Sequence, residues 1–214
     1  MHTMADGQQE DQIGRSTVES QAVVVEQIHP SAARYCDDQP CACLVAWLNV
    51  EATRLVRPGA RAIVVGCGFG HNVCELESRG YDAEGFDNSP VVVELARSRH
   101  PKISDRIFAA DLLDPPTPHL ARHDLVVDVE TLNFIDHDRR ERAVYSLAAL
   151  AKPHGIVIVI ANRENDRTAL YGLGADELIQ MMDRHGFEPI RPPDEYDDDN
   201  SPPRARIRAS FRRR

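Results

Sequence analysis

From residue 61 to the C-terminus, short β-branched runs alternate with stretches of helical period, and that alternation leaves few folds open to the chain. "RAIVVG" (61–66) reads as a strand. "GHNVCELESRG" (70–80) reads as a helix that stops at Gly80, a residue suited to a helix C-terminus. "YDAEGFD" is a second strand, and Ser89-Pro90 opens a helix through Arg99 with serine as N-cap and proline at the first helical position. "DRIFAAD" and "HDLVVDVE" are a third and a fourth strand, followed by an amphipathic helix over 136–152. "IVIVIA" (156–161) is apolar throughout, as befits a strand buried on both faces. "GADELIQMMDRHG" is a further helix and "FEPIRP" a sixth strand. Strand and helix in turn, about five times, predict an α/β fold built on a doubly wound, mostly parallel sheet.

The flanking segments are read in the same way. Residues 1–20 show no periodicity and are expected to be disordered. Weak helical character runs from 18 to 28. "CLVAWLNVEATRLV" (43–56) places Leu44, Trp47, Leu48, Ala52 and Leu55 at helical spacing, and Arg57-Pro58-Gly59 ends it. The expected organisation is a single domain over 21–214, with a helical cap at 21–58 and the core at 59–214. Trp47, the one tryptophan, reads as core or as part of a lid over a ligand. "PPDEYDDDNSPP" (192–203) reads as a solvated loop. "RARIRASFRR" (204–213) has period two, which predicts a final strand with a solvated basic face.

A length of 214 residues suits one well-buried α/β domain. The net charge of −9 makes the chain a poor generic binder of nucleic acid or of an anionic membrane. No apolar run approaches the roughly 18 residues of a membrane helix. The N-terminus is polar, without the apolar segment of a signal peptide. The five cysteines are odd in number and contain no CxxC pair, so a reduced, cytoplasmic protein is expected. Cys36, Cys41 and Cys43 lack a zinc signature, and no metal is expected.

The loop after the first strand, "GCGFG", carries Gly66, Gly68 and Gly70. Such a loop lies where ligands bind in a doubly wound sheet, yet it also serves as an ordinary tight turn. The dinucleotide fingerprint G-x-G-x-x-G would put its third glycine at His71. A pyrophosphate is therefore disfavoured, and a nucleoside with an amino-acid part is preferred. Asp87 ends the second strand, twenty-one residues after Gly66, where a carboxylate can accept from both ribose hydroxyls. Asp111 ends the third strand, where it can accept from an adenine amine or cap the next turn.

Taken in order, "VVGCGFG", "GFDNSP", "AADLLD", "HDLVVDVETL" and "LAKPHGIVIVI" resemble the class I methyltransferases that use S-adenosylmethionine. Within them the chain is most similar to the small bacterial thiopurine and thiol methyltransferases, through its "LVAWL" helix and its "RARIRASFRR" close. The resemblance covers about residues 43 to 212. It implies a Rossmann-like sheet of seven strands with the last antiparallel. It also implies Gly66, Gly68 and Gly70 at the methionine part, Asp87 at the ribose, and Asp111 and Leu112 around the adenine. Cys67, Asn88 and Asp128 complete the expected cofactor set. Many class I enzymes carry an acidic residue where this chain has Val64, a departure shared with the thiopurine type.

The implied reaction is in-line displacement at a sulfonium, which asks mainly for alignment and exclusion of water. A base is needed only when the acceptor must lose a proton. Asp128, Glu130 and His137 surround the end of the fourth strand and are the candidates; Glu130 and His137 are the predicted catalytic pair. Structural readings stand beside each: a buried hydrogen bonder for Asp128, a solvated loop carboxylate for Glu130, and a helix-start residue capped by Asp136 for His137. A small-molecule acceptor is expected, with no nucleic acid or membrane partner. A nicotinamide-dependent oxidoreductase and a non-catalytic nucleoside-binding module are the alternatives.

Overall fold

The computed structural model describes residues 39–164, 166, 170–198 and 203–214. The expected disorder at 1–20, the weak helix at 18–28, and Cys36 lie outside the described residues.

The strands are β1 (Arg61–Val65), β2 (Asp82–Asp87), β3 (Ile107–Ala109), β4 (His123–Val129), β5 (Ala151–Asn162), β6 (Phe187–Pro189), β7 (Asp194–Asp197) and β8 (Ala205–Arg213). They form one sheet in the order β3-β2-β1-β4-β5-β8-β6, with β7 also on β8. The first five pair in parallel, and β8 pairs antiparallel with β5, β6 and β7. The doubly wound, mostly parallel sheet with an antiparallel final strand is therefore present. It has eight strands, not seven. The extra strand, β7, lies inside the segment read as a solvated loop. Its charged residues hid it, because a strand lying along an outer edge needs only one partner.

The helices are α1 (Ala42–Trp47), α2 (His71–Ser78), α3 (Pro90–Arg99), α4 (His137–Leu150) and α5 (Ala175–Arg184). A π-helical turn, Leu48–Ala52, continues α1 into one further helical turn, Thr53–Leu55. Ser89 caps α3 by accepting from the Val92 amide, and Asp136 caps α4 by accepting from the Arg139 amide at 3.0 Å.

Alternation along β1 sorts the core into two layers. Ala62 and Val64 face Trp47, Leu48, Val73 and Ala96. Ile63 and Val65 share the opposite layer with Leu147, Leu178 and Met182. Trp47 is thus a core residue, 1% exposed. The final strand has a different second face from the one expected: Arg206 is 4% exposed and turned into the protein. No helix among the described residues is long and apolar enough to cross a membrane.

Candidate active site

The glycine loop leaves β1 with left-handed backbone at Gly66 (φ +55°) and Gly68 (φ +53°), a conformation that side chains make costly. A Cβ at Gly66 would enter the Thr131 side chain, 2.8 Å from its Cγ2. A Cβ at Gly68 would meet nothing within 4 Å, so the backbone there faces open space. The two glycines differ in surroundings: Gly66 seats the turn against Thr131 in the loop after β4, and Gly68 leaves its backbone uncovered. Gly66→Ala should cost about 2–3 kcal/mol, from positive φ plus overpacking, read in urea unfolding. Gly66→Ala/Thr131→Ala should recover only the packing part.

Asp87 closes the loop from β2. Its Oδ2 accepts from the Gly68 amide at 3.1 Å, and its Oδ1 accepts from the Ser89 amide at 3.0 Å. Burial raises its pKa, and these two amides pull the other way. The Cys67 amide donates to the Phe86 carbonyl at 2.8 Å. Gly66, Cys67, Gly68, Gly70 and Asp87 are thereby drawn to one end of the sheet, with Asn88 exposed beside them. Burial, then Asp87, pushes the Cys67 thiol far up, so it is a neutral packing group.

The end of β3 adjoins this loop, because the Ala110 amide donates to the Asp87 carbonyl at 3.0 Å. Asp111 is exposed and its Oδ1 accepts from the Leu113 amide at 2.9 Å. The turn-capping reading of Asp111 is therefore realised, at a position on the rim. Leu112 is buried.

Asp128 pairs in register with Val65, the last residue of β1. Its carboxylate is fully buried, and neither oxygen has a well-formed hydrogen bond. Burial raises its pKa to about 7. The Thr131 hydroxyl and the Leu132 and Thr131 amides face it and favour the charge, while Glu130 opposes it. The Thr131 hydroxyl itself donates to the Val65 carbonyl at 3.0 Å. Sequence reading passed over Thr131. The one clue was its place three residues after Asp128, in the loop facing the glycines.

Glu130 and His137 are each engaged with basic partners of their own. Glu130, at φ +64°, is ion-paired with Arg206, and Arg204 lies 3.9 Å away. Arg206 also donates to Asn162 Oδ1 at 2.6 Å and lies 3.6 Å from Asp198. His137 begins α4, exposed, with its Nδ1 3.2 Å from Arg140 Nη1. Its ring meets Tyr171 edge-on. Arg140 is in turn paired with Glu177 at 3.0 Å. His71, in the fingerprint frame, begins α2 and packs edge-on against His100.

Of the three cysteines weighed as ligands, Cys41 and Cys43 are free thiols. Contact with the Cys41 thiol lowers the pKa of Cys43 to about 6 against the effect of burial, helped by Tyr196, Arg206 and Arg208.

The sheet order, the glycine loop and the acidic strand ends define a class I methyltransferase fold. The sequence profile of the family described as "Methyltransferase domain" matches residues 63–159. The chain is 34% identical over 124 residues to trans-aconitate 2-methyltransferase of Methylobacterium radiotolerans. That alignment covers 56% of this chain and 43% of the relative, so the chain matches less than half the relative's length. The fold is also that of Burkholderia thailandensis 1,6-didemethyltoxoflavin-N1-methyltransferase, solved with 1,6-didemethyltoxoflavin and S-adenosylhomocysteine bound. The TM-score is 0.68 at 17% identity, covering 100% of this chain and 92% of that one. Magnesium protoporphyrin IX methyltransferase of Synechocystis, solved with S-adenosylmethionine, gives a TM-score of 0.63 at 18% identity, covering 100% and 87%.

Proposed function

We propose that this chain binds S-adenosylmethionine and transfers its methyl group to a small-molecule acceptor. The observation that carries the reading is the joined pair of loops. Asp87 holds the Gly68 amide while the backbone of Gly68 stays open to a ligand. The buried Asp128 carboxylate beside them, lacking well-formed hydrogen bonds, fits a polar or cationic group better than an empty core.

The cofactor would supply an activated methyl on a sulfonium. Gly66, Cys67, Gly68 and Gly70 line the methionine part in this reading. Asp87 and Asn88 take the ribose, Asp111 and Leu112 the adenine edge. Glu130 is committed to Arg206, and His137 faces solvent beside Arg140. Proton removal, where an acceptor needs it, therefore falls to Asp128, whose pKa near 7 suits a base at neutral pH.

The finer placement among thiopurine and thiol methyltransferases rests on the "LVAWL" helix and the basic closing strand. The division into a helical cap at 21–58 and a core at 59–214 draws on the helical spacing over 43–56 and the stop at Arg57-Pro58-Gly59, and residues 21–38 of that cap lie outside the described residues. A cytoplasmic setting is supported by the free thiols of Cys41, Cys43, Cys67 and Cys74.

Calorimetric titration with S-adenosylmethionine and S-adenosylhomocysteine, with NAD as control, tests the reading. Both sulfur ligands should bind and NAD should not. Asp87→Ala should weaken binding at least tenfold while circular dichroism stays native. Absence of binding to either sulfur ligand would sink the proposal.

A further inference from the structure

Away from the glycine loop, Glu84, His119 and His123 bring three potential ligand atoms within 4.8 Å of one another. Glu84 lies on β2, His119 ends a 3-10 turn (Thr117–His119), and His123 opens β4. His119 Nδ1 and His123 Nε2 both approach Glu84 Oε1, at 2.8 and 2.7 Å. We propose that these three side chains form a binding site for a divalent transition-metal ion of the zinc class.

Two imidazoles and one carboxylate are a donor set suited to zinc, with a fourth position left for water. The outer contacts match what metal-ligating histidines need. His123 Nδ1 lies 3.1 Å from the Leu150 carbonyl, which takes its N–H and turns Nε2 towards Glu84. With that N–H committed, Nε2 carries a second proton towards the carboxylate or offers its lone pair to a cation. The pairing of β4 with β5 slips between His123 and Leu125, and such irregularities re-aim side chains. The His119 ring is held flat against Phe108 at 4.5 Å between centroids.

Around a tetrahedral ion with bonds of about 2.0–2.1 Å, ligand atoms lie roughly 3.3 Å apart. Glu84 Oε1 must draw back from each of the two imidazole nitrogens by about half an ångström. His119 and Glu84, with side chains 19% and 31% exposed on separate elements, have room to do so.

The site is distinct from the proposed methyl-transfer site. Glu84 precedes Asp87 by three residues and His123 precedes Asp128 by five, or about 10 and 17 Å along their strands. Bound metal would tie the loop before β4 to β2 across the intervening β1. The expected effect is therefore on stability, and the inference does not depend on the methyl-transfer reading. Sequence inspection missed it by seeking ligands among cysteines, whereas "HLARH" pairs its histidines in a loop and takes its carboxylate from 35 residues upstream.

The test uses the full chain, stripped with EDTA and titrated with zinc chloride. One equivalent should bind, and the Tm should rise by roughly 5–10 °C at a hundredfold excess over Kd. Cys41→Ser/Cys43→Ser should keep both the stoichiometry and the shift. His119→Ala should lose both, while its Tm in EDTA shows that it folds. Glu84→Gln should weaken binding at least tenfold. No shift in the parent chain would overturn the proposal. So would a shift that persists in His119→Ala, or one that disappears with the cysteines.

Discussion

Asp128→Asn should make the protein more stable at pH 8 by up to about 4 kcal/mol, and should remove a slope from its stability–pH curve. The buried carboxyl titrates near 7 in the folded chain instead of near its ordinary value of 3.8. Between those limits the folded state holds a proton that the unfolded state has released. Stability from this group therefore falls as pH rises from about 4 to about 7 and stays low above that. A shift of about three units corresponds to about 4 kcal/mol as an upper figure. Urea unfolding of both proteins from pH 4 to pH 8 reads the difference, with the gap between the two curves narrowing towards the acid end. A variant less stable than the parent at pH 8 would refute the account. Gained stability with weakened binding of S-adenosylmethionine would mark Asp128 as a group kept for function at the expense of the fold.

Arg206→Met should act in the opposite direction, at about 3–5 kcal/mol or roughly 10 °C in Tm. The guanidinium is 4% exposed and is shared by Glu130 and Asn162. Its removal leaves the Glu130 carboxylate buried, with Arg204 3.9 Å away. The larger part of the loss is that buried charge, not the attraction itself. Glu130→Gln/Arg206→Met should therefore recover much of the stability. A double variant no better than the single one would show that the guanidinium matters through packing instead.

The alternation of periods made the parallel half of the sheet legible, because a buried strand and an amphipathic helix leave opposite signatures. β1 and the 156–161 part of β5 are near-continuous apolar runs, and Ser89-Pro90 and Asp136 mark helix starts that side-chain capping realises. The antiparallel end was less legible. Arg206 sits at the period-two position of a solvated face, and partners distant in sequence, Glu130 76 residues earlier and Asn162 44 residues earlier, explain its burial. β7 has no apolar pattern at all, since pairing along β8 defines it. At the site, the glycine loop and the strand-end place of Asp87 were legible in the local pattern, and the Gly68 amide joins them. Thr131 and the bond-poor state of Asp128 were not, because both depend on β1 and β4 lying side by side.

The two flanks of the sheet bear on how the protein behaves in company. A sheet ends in rows of unpaired backbone groups that can recruit another chain. Here one flank is β3, only three residues long. Along the other, β8 is covered by β6, which ends in Pro189, and by β7, which reads "DEYD". Proline withholds a donor, and three carboxylates in four residues repel an approaching copy of themselves. The long, arginine-bearing β8 is thus kept from becoming a template for intermolecular strand addition, and β7, added to the expected seven strands, is the element that guards it against aggregation.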